Sequence, residues 1–158
     1  ARHGPPFQQT SFLWKATPMT LERAIEIAVA AHKGQVDKAG APYILHPLRV
    51  MMSLSSEDER IVGVLHDVVE DTDWTFERLR AEGFSQAVLD GLASVTKHHD
   101  DEDYDAFVQR ARANPIGRRV KIADINDNLD LRRITTPTER DFERLKKYRA
   151  ALTALTSD

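Results

Sequence analysis

Between Ile61 and Thr72 an apolar run passes directly into ionisable residues. Ile61-Val62-Gly63-Val64-Leu65 precedes His66-Asp67, and Val68-Val69 separates that pair from Glu70-Asp71. Four groups able to bind a metal or move a proton thus crowd into a segment flanked by core-forming side chains. A charge taken out of water is costly unless it is paired, hydrogen-bonded or bound to a metal. Any fold of this chain must therefore bring partners to this segment from elsewhere in the sequence. At helical spacing His66 shares a face with Glu70, and Asp67 with Asp71.

The 158 residues suit one domain with a sizeable core. There is no Cys, which excludes disulfides, thiolate metal sites and Cys nucleophiles. A metal here must be held by imidazole nitrogen and carboxylate oxygen. No segment approaches the ~20 apolar residues of a membrane span, and no secretory pattern opens the chain, so a cytoplasmic protein is expected. The net charge of −3 is uneven: residues 110–149 hold 12 Lys/Arg and 6 Asp/Glu. That basic half is either a solvated face or the wall of a pocket for an anion. Its cations are not interleaved with aromatics, which argues against a nucleic-acid surface.

Residues 1–18 show no period and are expected to form an irregular leader, with Phe12, Leu13 and Trp14 able to pack back on the domain. From residue 19 to 156 the pattern is helix after helix. Thr20 caps a first helix carrying Leu21, Ala24, Ile25, Ala28 and Val29 on one face, with Gly34 at its end. A loop over 35–45 leads to a helix opened by Pro47. Ser56 caps a helix running from Glu57 to about Glu70, and Thr75 and Ser85 cap two more. A helix begins near Tyr104 and stops near Asn114-Pro115. Another spans Ile116 to Asn128, and a last one starts at Pro137. Sustained alternation is absent, so the expected fold is all-α, a single bundle-like domain of about eight helices.

Three further features belong with His66-Asp67. They are His46 before Pro47, the pair Glu70-Asp71, and the stretch Lys121-Ile122-Ala123-Asp124-Ile125-Asn126-Asp127-Asn128. Two His and two Asp on separate helices make an N/O ligand set suited to Mn²⁺, Fe²⁺ or Zn²⁺. Glu70 and Asp71, one turn on, stand where a general acid or base is wanted.

The order His, His-Asp, Asp resembles that of the HD phosphohydrolase superfamily. Gly34-Gln35, Lys38-Ala39-Gly40, Pro42-Tyr43-Ile44 and His46-Pro47 resemble the first motif of RelA/SpoT-type alarmone hydrolases. His66 to Thr72 resembles their second, and Val95-Thr96-Lys97 and Val120 to Asp124 with Asn128-Leu129 resemble later ones. The likeness covers roughly residues 19–150. It implies an HD-domain fold and a Mn²⁺-dependent 3′-pyrophosphohydrolase of (p)ppGpp. By position it implies His46, His66, Asp67 and Asp124 as metal ligands, with Glu70 and Asp71 as catalytic groups. Lys38, Asn128, Arg144 and Tyr148 are implied as nucleotide contacts. Two positions depart from the pattern: Asp37 stands where the long enzymes carry a guanine-stacking Arg, and Leu131 where they carry a Thr. These departures bring in a related nucleotide as an alternative substrate, either ppApp or the 2′-phosphate of NADPH. A third alternative is a sensor that binds nucleotide without turnover. The chain ends without a synthetase segment, so alarmone synthesis is not expected of it.

Other polar groups have plainer readings. His32 suits the dipole at the end of the first helix and is left out of the metal set. His98-His99 with Asp100 to Asp103 reads as a solvated loop. Arg118-Arg119 and Arg132-Arg133 read as exposed, with one of them able to reach a pocket rim. Trp74 and Phe76 read as packing at a helix start.

Overall fold

Helix follows helix in the computed structural model, which describes residues 19–158. The expected leader over 1–18 lies outside the described residues. Thr20 accepts from the Arg23 N–H at the start of α1 (Leu21–Ala31). Helix α1 ends earlier than Gly34: His32 caps it, and Gly34, at φ 85°, turns the chain in the loop beyond. That loop is pinned by a single bridge between Val36 and Pro42. Helix α2 (Leu45–Met52) follows, beginning two residues before Pro47.

The eight expected helices are all present, but one is divided, giving nine α-helices among the described residues. Ser56 and Glu59 form the capping box of α3 (Glu57–Leu65), which stops at His66 instead of running on to Glu70. A short α4 (Val68–Asp71) resumes after Asp67. The interruption has a local cause. His66 Nδ1 donates to the Gly63 carbonyl at 2.7 Å, the acceptor that an unbroken helix would offer to the Asp67 N–H.

Thr75 and Ser85 cap α5 (Phe76–Glu82) and α6 (Gln86–Ser94), as their spacing suggested. Asn114 closes α7 (Tyr104–Ala113) and opens α8 (Pro115–Asn128), its side chain accepting from the Ile116 and Gly117 N–H groups. A 3-10 turn (Leu131–Arg133) leads to α9 (Glu139–Thr156). Helix α9 starts two residues after Pro137, where Asp141 reaches back to the Thr138 N–H at 2.8 Å. Arg118 tethers the far end of α9 by donating to the Leu155 and Ser157 carbonyls.

Helix α3 is the centre of the bundle, with α1, α2, α6 and α8 packed on it. The main core gathers Ala24, Val50, Val62, Leu65, Leu79, Leu92 and Val120, all fully buried. A smaller cluster of Val108, Ile125, Ala151 and Leu155 joins α7, α8 and α9. Helix α8 crosses α6 so closely that a Cβ on Gly117 would lie 1.8 Å from Ser94 Oγ and 3.4 Å from the Ala111 carbonyl oxygen. Gly117→Ala is therefore expected to lower stability by about 1–3 kcal/mol, read as a drop in melting temperature. None of the helices described is long and apolar enough to cross a membrane.

Candidate functional site

The break after α3 sets the site. It leaves His66 at the end of one helix and Asp67 at the head of the next, both on the side facing α2 and α8. Helix α2 supplies His46 and α8 supplies Asp124. His46 Nε2 lies 3.2 Å from His66 Nε2, 3.1 Å from Asp124 Oδ1 and 3.8 Å from Asp67 Oδ2. His66 Nε2 lies 2.9 Å from Asp67 Oδ2 and 3.5 Å from Asp124 Oδ1. His46, His66 and Asp124 are buried, and Asp67 is nearly so.

The outer nitrogens of the two imidazoles fix what the inner ones present. His66 Nδ1 faces a carbonyl, which only accepts, so it carries the hydrogen. His46 Nδ1 faces Asp127 Oδ2 at 2.6 Å and likewise donates. In the neutral imidazoles both Nε2 atoms are then lone pairs, directed at each other and at two carboxylates. Asp124 Oδ1 stands beside both imidazoles, and only a cation satisfies acceptors crowded in this way. His46, His66 and Asp67 bring three ligand atoms all within 4.8 Å of one another. This donor chemistry fits a divalent metal of the hard or borderline class. A proton serves the same need: burial alone would lower His66, but Asp67 and Asp124 outweigh it and hold its pKa well above the ordinary value.

The carboxylates are held from behind. Tyr43 donates its hydroxyl to Asp67 Oδ2. Asp124 Oδ2 accepts from Lys121 Nζ at 2.9 Å, and Asp124 Oδ1 accepts from Asn128 Nδ2 at 2.9 Å. Burial disfavours the charge on Asp124, and the Lys121 ammonium, helped by the imidazoles, reverses this and keeps the carboxyl ionised. Asp127 adds an outer layer. It receives Arg49 Nε at 2.7 Å, Arg49 Nη2 at 3.0 Å and Arg133 Nη1 at 3.2 Å, besides His46.

A cleft of about 360 Å³ opens beside His46, Asp67 and Asp124. Lys38, Asn128, Arg133 and Arg144 line it. Arg144 also pairs with Asp141 at 2.9 Å. Glu70 and Asp71 line a second, wider cleft together with Lys97. Glu70 Oε1 accepts from the Lys97 N–H, and the side chain keeps solvent access. Desolvation pushes both carboxyls above their ordinary values, reinforced at Asp71 by the charge on Asp67. Tyr148 is half-buried beside the smaller core cluster, 6.5 Å from the Tyr104 ring, and its hydroxyl, pushed up first by burial, also feels the charges of Asp124 and Arg144.

Sequence reasoning passed over Asp127, Arg49 and the hydroxyl of Tyr43. Helical spacing held the signal for two of them, since Arg49 follows His46 by three residues and Asp127 follows Asp124 by three. Tyr43 has no such periodic mark. Arg133, read as exposed or at a rim, is half-buried against Asp127. His32 is buried, with Nδ1 2.8 Å from Gln35 Oε1, and takes no part in the ligand cluster.

No family model matches the chain. Curated relatives do. One is a guanosine-3′,5′-bis(diphosphate) 3′-pyrophosphohydrolase of Aquifex aeolicus, 33% identical over 121 residues, covering 70% of this chain and 17% of that protein. Another is a GTP pyrophosphokinase of Streptomyces coelicolor, 32% identical over 146 residues, covering 87% of this chain and 17% of that protein. A solved structure described as a metazoan ortholog of SpoT that hydrolyses ppGpp superposes with a TM-score of 0.73. It is 24% identical, and the match covers 89% of this chain and 88% of that one. The chain belongs to the RelA/SpoT-type HD family. It spans less than a fifth of the length of these two curated relatives. What this RelA/SpoT-type chain shares with the solved structure is the all-helical fold.

Proposed function

We propose that the chain is a metal-dependent hydrolase that removes pyrophosphate from the 3′ position of (p)ppGpp-like nucleotides. The observation that carries this reading is the convergence of two tautomer-locked imidazoles and two carboxylates beside a cleft walled by cations. In it His46, His66, Asp67 and Asp124 hold Mn²⁺, with Fe²⁺ or Zn²⁺ as alternatives. A divalent cation held there would make water more acidic and polarise a phosphoryl oxygen. Lys38 and Arg144 orient the nucleotide through its phosphates, Arg144 with the forked geometry suited to them. Asn128 steadies Asp124 and faces the cleft. Tyr148 offers its hydroxyl to the nucleotide beside Arg144. The net reaction adds water across the bond between the 3′ oxygen and phosphorus, releasing pyrophosphate and restoring the 3′ hydroxyl. A cytoplasmic location belongs to the same proposal, since nucleotide and metal are both available there.

Glu70 and Asp71 handle the protons. Their raised pKa values bring proton exchange closer to neutral pH, which suits a general acid or base. Glu70→Gln and Asp71→Asn are each expected to keep metal binding while lowering kcat by about 10²–10⁴-fold. Metal content and turnover, measured on the same samples, separate this from loss of the centre.

Base choice is a separate question, and Asp37 bears on it. Its Oδ1 accepts from the Ala39 and Ala41 N–H groups at 2.9 and 3.0 Å, so the carboxylate stabilises its own turn. No guanidinium stands at that position to stack on guanine. This favours a loose base pocket, with ppApp hydrolysed alongside ppGpp. The deciding experiment is pyrophosphate release from both nucleotides by EDTA-treated protein, with and without Mn²⁺. Mn²⁺-dependent release supports the proposal. Equal release without metal overturns the mechanism. Metal binding without release from either points to the 2′-phosphate of NADPH, which a phosphate assay would detect, or to a sensor.

A further inference from the structure

We infer that Lys147 belongs to an anion subsite, shared with Arg144 and Lys97, that takes a phosphate group of the ligand between the two clefts of the site. The inference deepens the phosphohydrolase reading and depends on it only for calling that ligand a substrate.

The geometry starts on α9. Arg144 and Lys147, three residues apart, lie on one helix face. Lys147 Nζ lies 4.3 Å from the centroid of the Tyr104 ring and 5.8 Å from that of Tyr148. Lys121 Nζ lies 5.9 Å from the same Tyr104 ring and 2.9 Å from Asp124 Oδ2. Two ammonium groups therefore meet on one aromatic side chain, and one of them is already bound to the cluster of His and Asp residues.

The charges around Lys147 are unbalanced. Lys121 pairs with Asp124, and Arg144 with Asp141. No carboxylate pairs with Lys147, Lys97 or Lys38 among the described residues. Burial pushes the Tyr104 hydroxyl up to about 12, so the ring stays neutral and offers no compensating charge. Desolvation, followed by repulsion from Lys97, Lys121 and Arg144, holds the Lys147 pKa down. A cation–π contact accounts for Lys147 over Tyr104, but not for collecting further cations around it. Unmatched like charges repel in the free protein, and a polyanion entering between them turns that repulsion into attraction.

Position matters as much as charge. Lys38 and Arg144 line the cleft beside His46 and Asp124, and Lys97 lines the one holding Glu70 and Asp71. Lys147 feels the charges of both Arg144 and Lys97, one from each cleft, and Lys38 feels that of Arg144. A ligand carrying several phosphates can engage these cations while reaching the metal ligands. A ligand with a single phosphate uses only some of them.

The test is calorimetric titration of the full chain, at fixed free Mn²⁺, with inorganic pyrophosphate. Lys147→Gln is expected to weaken binding about tenfold, the loss of one charge-assisted contact. Lys147→Arg should restore most of it. Lys146→Gln, which removes a neighbouring exposed ammonium paired with Glu143, should leave it unchanged. A parallel titration with inorganic phosphate should show a smaller effect of Lys147→Gln. Equal pyrophosphate affinity for the wild type and Lys147→Gln, with unchanged melting temperatures, overturns the inference. So does an equal loss in Lys146→Gln, which would show a diffuse charge effect only. Binding is read without turnover. Lys147-dependent binding with no alarmone hydrolysis would sink the proposed function and leave the subsite standing, and hydrolysis with Lys147-independent binding would do the reverse.

Discussion

Replacing Asp124 with Ala is expected to destroy activity and to destabilise the fold at once. Asp124 is the counter-charge of Lys121, whose ammonium is buried between α7 and α8 and sits 4.6 Å from the Phe107 ring. Truncating one member of a buried pair leaves the other uncompensated, a cost of about 3–5 kcal/mol. The melting temperature should fall accordingly. Pairing the change with Lys121→Met removes the orphaned charge, so the double variant should recover most of the lost stability. It should recover no turnover and no Mn²⁺ affinity, because Asp124 also faces both imidazoles. Thermal denaturation of the single and double variants, with metal titration of each, separates the structural role from the chemical one. A single variant that melts with the wild type would show that Lys121 does not depend on Asp124.

Asp127→Asn should act more selectively. Asp127 lies behind the cluster, where it receives His46 Nδ1 and the Arg49 fork. An amide in its place can still accept one hydrogen bond but supplies no charge, and it can present its own N–H to the imidazole. His46 then loses the partner that fixes its tautomer. Removing such an outer-layer partner typically costs about 10–100-fold in metal affinity. The fold should persist, since α2 and α8 also meet through apolar contacts. Acid sensitivity gives a second readout. Burial works against the Asp127 charge, but His46 and Arg49 outweigh it and hold the carboxyl well below the ordinary carboxylate range. A group depressed in the folded state stabilises above the unfolded carboxylate pKa of about 4, and that stabilisation is lost as pH falls through the folded value. Metal-free wild type should therefore lose melting temperature on acidification below about pH 5 more steeply than Asp127→Asn. Parallel pH profiles in the two proteins would remove Asp127 from this role.

The division of α3 shows how far local sequence reaches. The apolar period and the Ser56 cap were legible and predicted the helix start correctly. The continuous apolar register through Val68 and Val69 also predicted a helix running on to Glu70. What ends it is a side-chain preference for the Gly63 carbonyl, and propensity does not record such competition. The caps at Thr20, Thr75 and Ser85 were legible for the opposite reason, because they are satisfied within three residues of chain.

The sequence by itself determined that this chain is all-helical, and that its ionisable residues at 66 and 67 sit among core side chains and need partners. Motif order named His46 and Asp124 as those partners. Only the tertiary structure decided how they meet. Crossing of α2, α3 and α8 brings His46 and Asp124 to the adjacent pair His66-Asp67, and it brings Arg49 to Asp127 from 78 residues away. Tertiary packing likewise parted the two groups of expected ligand-facing residues, sending Lys38 and Arg144 to one cleft and Glu70 and Asp71 to another. The physical reason is range. Helix periods and caps are settled by groups a few residues apart, whereas electrostatic partners depend on which helix faces burial of the core presses together.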